Sequence, residues 1–354
     1  MKRRDLLIGS GALMGGSLLP GLRHAAFAQA KPSQMVLMTW GGLWGDAMRD
    51  GAGNAFEKET GIKIVQDRSG SPADRITKIK VNIADQKFDL VQLHDGLVPL
   101  AVAQGVLEPL NKDSPRLSNL KDVGPRFIQS HWVAAIYSPL GIIYNTKLVR
   151  NPPTSFADLW KPEFKRQIVL PEITHSIGPY IIPIGAVAAG KPPTDAEAGF
   201  EMLKKMVVQQ PIWAKDTDTI MNSLRGEDAV IGLLYKSQTY TVKGWKVPAE
   251  WVYPKEGAIL YSAGTAIAKG TKNIEFAEAF LNLTLDPKLQ TIYTEKFNYP
   301  GTNKNTEAAL PPELQERVQS TPEEMSRLID LDHATMAEKR PEWTDRWNRI
   351  VAAG

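Results

Sequence analysis

The chain of 354 residues contains no cysteine. That excludes disulfides, thiolate metal sites and a cysteine nucleophile, and leaves the fold to hold by burial alone, which a chain of about 320 residues can manage. Histidine is scarce, five in all, and no two stand one helical turn apart, so neither a metal site nor a cofactor is expected. No glycine loop has the spacing that cradles a nucleotide phosphate, and no Gly-x-Ser-x-Gly elbow presents a serine nucleophile. Beyond residue 30 no apolar run approaches the ~20 residues of a spanning helix. Internal repeats, low-complexity stretches and long flexible linkers are also missing.

At 43% hydrophobic and 23% charged residues, what remains describes a globular protein with room for two core-bearing units. The first 30 residues stand apart, with a basic start, an apolar middle rich in Gly and Ala, and small-x-small exits. They read as an export signal, cleaved after Ala28 or Ala30, with an uncleaved anchor as the alternative. Arg3-Arg4-Asp5-Leu6-Leu7 resembles the twin-arginine motif, although Leu6-Leu7 stands where Phe-Leu is commonest. Removing residues 1–30 takes Lys2, Arg3, Arg4 and Arg23 but only Asp5, so the precursor's charge of +3 falls to zero. A neutral mature chain carries no electrostatic footprint for nucleic acid or an anionic membrane.

From Gln34 the chain alternates apolar strands with amphipathic helices. QMVLMTW, IKIVQD and FDLVQLH read as strands, and the segments between them as helices, with Ile76, Ile79 and Ile83 at helical spacing. This order predicts an α/β fold with a parallel sheet covered on both faces. The pattern restarts around GIIYNTKLV and continues through RQIVLP, an apolar helix, an amphipathic helix and DAVIGLLY. Two extended segments and two helices follow. Beyond Pro311 the chain reads as polar helix, with Pro322 and Pro341 each at a first helical turn.

In such sheets ligands sit beyond the carboxyl ends of the strands. The residues found there are Trp40, Gly41, Gly42 and Trp44, then Ser69 and Ser71, then His94 and Asp95. In the second half they are Thr174, His175 and Ser176, then Tyr235 and Lys236, then Tyr261 and Ser262. Rings, hydroxyls and amides make a binding inventory rather than a catalytic one. Two indoles on a glycine-rich turn suggest a pocket wall, with core packing as the alternative. The amides of the Ser69-Gly70-Ser71-Pro72 turn suit an anion, with plain helix capping as the alternative. An exported hydrolase or lyase using His94 or His175 is the competing functional reading.

Six stretches in order carry a family resemblance: FEKETGIKI, FDLVQLHDG with GVLEPLN, GIIYNTKLV, SFADLWKPEFKRQIVLPE, VYPKEGAILY and NYPGTN. The chain resembles the extracellular solute-binding proteins of bacterial ABC importers, in particular the spermidine/putrescine branch, from about Val36 to Ala309. The resemblance implies a two-lobed, type II periplasmic-binding-protein-like α/β fold with a ligand cleft between the lobes. One lobe would be 31–137 plus 262–306, and the other 138–261 plus 307–354. It also implies a periplasmic location, a membrane permease as partner, a small-molecule solute and a monomer, with a sensor role as a further option. In the polyamine branch aromatics box the alkyl chain, and Trp40, Tyr137, Tyr235 and Tyr261 match those positions. The branch's acidic positions, however, fall on Gly42, Ile173, Ser176 and Ala263, none charged. A polyamine is therefore disfavoured against a carboxylate, a phosphonate, a monoamine or a zwitterion, with Glu172 and Asp95 as acids for a single cation. Iron-binding relatives use adjacent tyrosines, and here Tyr235 is followed by Lys236.

Overall fold

The structure, a computed structural model, describes residues 30–353. Apart from Ala30, the expected export signal lies outside them. Among the described residues no helix is long and apolar enough to cross a membrane.

The first unit opens with β1 (Gln34–Met38), flanked in parallel by β2 (Lys63–Asp67) and β3 (Leu90–His94). Between β1 and β2 run α1 (Gly42–Met48) and α2 (Asn54–Thr60), joined through a π-helical turn at Arg49–Gly53. Helix α3 (Pro72–Asn82) and helix α4 (Val98–Ala103) follow β2 and β3. Its core gathers Met35, Leu37, Phe56, Ile76, Ile79 and Leu90.

The apparent restart at residue 141 is the second half of a longer strand, β4 (Trp132–Asn145), buried along its whole length. A strand buried on both faces shows no polar alternation, so its first half did not stand out. From it the chain builds β5 (Ile168–Pro171), α5 (Ile181–Ala188), α6 (Ala196–Val208), β6 (Ile212–Ala214), α7 (Thr217–Arg225), β7 (Ile231–Tyr235) and α8 (Lys236–Gly244). Strand β8 (Ala249–Val252) pairs with β4, and β9 (Ile259–Ile267) runs back between β4 and β3. The sheet order is β2-β1-β3-β9-β4-β7-β5-β6. The expected parallel pairing holds for β2-β1-β3 and for β7-β5-β6, whereas β4 and β9 join the halves antiparallel.

The second unit has its own core, in which alternate residues of β4 face opposite ways. Leu140, Ile142 and Tyr144 pack with Phe200, Leu203 and Leu233, while Ile143 packs with Val169, Ile220 and Leu234 on the other face. Helices α9 (Ile274–Thr284) and α10 (Pro287–Phe297) return to the first core, and α11 (Pro312–Val318) and α12 (Pro322–Ser326) lead on from them. Pro322 does open a helix. Pro341 does not: it lies inside α13 (His333–Ala352). Burial of Met336, Trp343 and Trp347 in the second core offsets the one backbone donor that proline removes.

Where β9 crosses β4, Ala134 faces Gly264, and a Cβ on Gly264 would stand 1.9 Å from the Val133 carbonyl oxygen. Gly264→Ala is expected to lower the unfolding free energy by about 1–3 kcal/mol. Gly244→Ala, with open space around its Cβ, should stay within about 1 kcal/mol, on the stabilising side. Urea midpoints at equal slope check both, and equal effects would deny the close crossing.

Candidate binding cleft

A cavity of about 520 Å³ lies between the two cores, at the crossing of β4 and β9. Trp40, Gly41, Trp44 and Tyr299 line it from the first unit, and Ser176, Thr217, Asp218, Tyr235 and Gln238 from the second. Ile136, Tyr261 and Ala263 come from the crossing strands. Most of these positions follow strand ends: Trp40 follows β1, Ser176 follows β5, Thr217 starts α7 after β6, and Tyr235 ends β7.

The glycine turn sets the indoles. Gly42 has φ +56°, which favours glycine, and a Cβ on Gly45 would meet Arg68 Nε at 2.6 Å and the Trp40 oxygen at 2.7 Å. Trp44 is fixed: its indole N–H donates to Gln92 Oε1 at 2.9 Å, and its ring stacks on Tyr293 and Phe297 at 4.9 and 5.6 Å. Trp40 meets Trp44 edge-on at 5.4 Å. The guanidinium of buried Arg75 lies 4.8 Å from the Trp40 ring and donates to the Gln92 carbonyl at 2.8 Å. Burial pushes Arg75 down to about 10, still protonated at neutral pH. Both indoles are partly buried and both reach the cavity.

Opposite them, Tyr235 and Tyr261 lie 4.7 Å apart. Burial raises both phenols well above their ordinary value and pushes Tyr299 up to about 12, so all three are neutral hydroxyls. Asp218 is the one acidic residue lining the cavity among the described residues. Among those residues no group of three or more histidine or acidic side chains is placed to hold a metal ion.

Of the expected site residues, Trp40, Gly41, Trp44, Ser176, Tyr235 and Tyr261 line the cavity, and Gly42 is exposed beside Gly41. The others are placed elsewhere. Ser71 caps α3, with Asp74 Oδ2 accepting from the Ser71 amide at 2.7 Å, and Ser69 is held by Asp67 and by Lys78 Nζ at 2.6 Å. Capping is thus what that turn does. Lys236 donates to the Gln319 carbonyl at 2.8 Å, and Tyr137 lines a separate cavity with Phe127 and Thr302. Thr174 is exposed in the loop after β5.

His94 lies under Tyr261, ring centroids 6.1 Å apart. His175 sits behind Thr217, its Nε2 3.3 Å from the Thr217 hydroxyl. Asp95 and Ser262 bond each other: Asp95 Oδ2 accepts from the Ser262 amide at 2.6 Å and its hydroxyl at 2.9 Å. Asp95 Oδ1 accepts from the Gly96 amide and the Tyr180 hydroxyl. Neither Asp95 nor Glu172, the acids expected for a single cation, lines this cavity.

Sequence reading missed Ile136, Thr217, Asp218, Gln238 and Tyr299, and had Ala263 only as a position where the polyamine branch carries an acid. Asp216-Thr217-Asp218 carried a usable signal, since Asp216 is a helix N-cap that accepts from the Thr219 amide at 2.7 Å. The strand before it has only three residues, too few to announce itself by periodicity.

With this geometry in place, comparison with known proteins gives the family. The model described as "Bacterial extracellular solute-binding protein" matches residues 51–323, and the chain belongs to that family. It is 27% identical over 282 residues, 77% of each chain, to a Haemophilus influenzae protein named spermidine/putrescine-binding periplasmic protein 1. It is 24% identical over 348 residues, 90% of this chain and 93% of the relative, to a Pseudomonas aeruginosa protein named gamma-aminobutyric acid-binding protein. A crystal structure of an ABC transporter protein from Clostridium perfringens superposes with a TM-score of 0.76 at 25% identity, over 90% of this chain and 99% of that one. The two-lobed periplasmic-binding-protein fold is thus the fold of this chain, and its role is that of an ABC-transporter substrate-binding protein.

The histidines give a test of the geometry. Burial, with His333 and Arg340 adding positive charge, pushes His94 down to about 3, and burial pushes His175 down to about 4. Below pH 6.5 the folded chain binds fewer protons at these rings than the unfolded chain does. Their stabilising contribution is therefore present above about pH 6.5 and lost as the pH falls toward 4 and 3. His94→Gln should flatten the loss of unfolding free energy between pH 7 and pH 4.5. An acid limb identical to that of the wild type would place His94 in water.

Proposed function

We propose that this member of the bacterial extracellular solute-binding family captures one compact solute bearing a single ammonium together with an acidic group. A zwitterion of the amino-acid kind fits this description. The carrying observation is the lining itself, in which three tyrosines and two tryptophans share the cavity with one carboxylate, that of the exposed Asp218. An enclosed di- or triamine would keep at least one dehydrated ammonium unpaired, at a cost of several kcal/mol. An acidic group has partners in the Gly41 backbone and the Ser176 and Thr217 hydroxyls. The relative named for gamma-aminobutyric acid is named for a solute of this class.

The lobes are proposed as 31–137 plus 262–306 and 138–261 plus 307–354, closing on the solute as hinged units and presenting both faces to an inner-membrane permease. Export by the twin-arginine route, residence in the periplasm as a monomer and absence of nucleic-acid contact complete the proposal. No bond is made or broken. Against the hydrolase alternative, His94 and His175 lie behind the lining and are neutral at pH 7. His94→Gln with His175→Gln removes any turnover under that alternative.

Thermal-shift screening of amines, carboxylates, phosphonates and amino acids identifies the solute, because a ligand of the folded state raises the melting point. Trp40→Ala should weaken its binding by about 30-fold or more with circular dichroism unchanged, and tryptophan fluorescence of the wild type should respond to it. Asp218→Asn should weaken an ammonium-bearing solute by about 10–100-fold and spare a purely anionic one. Micromolar binding of spermidine or putrescine that survives Asp218→Asn would overturn the assignment.

A further inference from the structure

Behind the cleft lies a second chamber, of about 40 Å³, where the two units meet α13. Leu97 and Leu100 wall it on the first unit and Tyr180 on the second, while His333 and Arg340 project from α13. Ser176 lines both this chamber and the cleft.

The polar groups here are lopsided. Arg340 is half-buried, and among the described residues its guanidinium makes no hydrogen bond or ion pair. His94, 5% exposed, and His333 each bury an Nδ1 without a hydrogen-bond partner. The nearest carboxylate does not answer them. Asp95 Oδ1 stands 4.0 Å from His94 Nδ1 and 3.7 Å from His333 Nε2, and its oxygens already accept from Ser262, Gly96 and Tyr180. In the Nδ1–H tautomer both imidazoles are donors, so one charged fork and two ring donors share a chamber whose lining holds no carboxylate. A guanidinium partly withdrawn from water attracts an anion more strongly than a fully solvated one does, and water offers an acceptor but no charge. A space of this size holds a monatomic ion or a few waters and excludes an organic solute.

We propose that the chamber binds one small inorganic anion of chloride size, held by the Arg340 guanidinium and the Nδ1–H groups of His94 and His333. The ion is separate from the transported solute, with Ser176 between the two sites. It ties α13 to both units at the rear of the hinge.

The test uses the full mature chain. Crystals soaked in sodium bromide are expected to show an anomalous peak in contact with the Arg340 guanidinium. The melting point should be at least about 2 °C higher in sodium chloride than in sodium gluconate at equal ionic strength. Arg340→Gln should abolish that difference and Arg340→Lys should keep part of it. A chamber with no bromide peak overturns the proposal, as does a chloride increment that persists unchanged in Arg340→Gln. Should Arg340→Gln fail to fold, the bromide map of the wild-type chain decides alone.

Discussion

The pairing of β4 with β9 is the constraint on which the molecule depends. Each strand begins in one core and ends in the other, paired from Trp132 opposite Ala266 to Leu140 opposite Ile259 with one register shift between Ala134 and Ile136. Because both are buried at the crossing, neither unit can slide past the other without breaking ladder hydrogen bonds. The freedom that remains is bending near the crossing. Strand β3 ends opposite Ala263, so the next β9 amide, that of Ser262, has no strand partner on that side. The Asp95 carboxylate takes it. A side chain thus continues the hydrogen-bonded row where the sheet narrows, which is why a carboxylate at a strand end, expected to meet a ligand, is structural here.

The same crossing makes the cleft. Strand ends from the two units face each other across it, and what hangs from those ends becomes its lining. On the first unit the turn after β1 must double back tightly, and the glycines at 42 and 45 allow it while holding Trp40 and Trp44 toward the gap. Gln92, in the middle of β3, anchors both: its side-chain oxygen accepts from the Trp44 indole, and its carbonyl accepts from the arginine under Trp40. The aromatic wall is therefore rigid before any solute arrives, and less ordering entropy is lost on binding.

How much of this was legible in the sequence follows from the range of each signal. Strand-helix alternation is local, so the α/β class and the elements from 34 to 103 could be read directly, and six ordered motifs supplied the two-lobed architecture. Rings at strand ends were legible for the same reason. Polar residues at those ends were not, because Ser, His, Asp and Lys serve the backbone as readily as a ligand. Only tertiary neighbours decide whether Ser71 caps a helix or Lys236 reaches the Gln319 carbonyl. Asp218 and Tyr299 were hidden for the opposite reason: a three-residue strand and a return loop bring them in from segments without periodicity. Pro341 shows the same override, since burial of Trp343 and Trp347 outweighs the local rule that a proline starts a helix.

Charge placement around Trp40 bears on how the proposed solute would lie in the cleft. An indole attracts cations through its π-face, and here the Arg75 guanidinium already occupies that interaction. A second cation brought against the same ring would meet a field already opposed by a buried positive charge. The side of the cleft bearing Asp218, with Tyr235 and Tyr261 as unionised rings, has no such competitor among its lining residues. On the proposed reading an ammonium lies toward α7, away from Arg75, and the apolar part of the solute toward Trp40. The acidic group then faces the amides and hydroxyls at the strand ends, and a solute with two cations has one acidic lining residue, Asp218, to share between them.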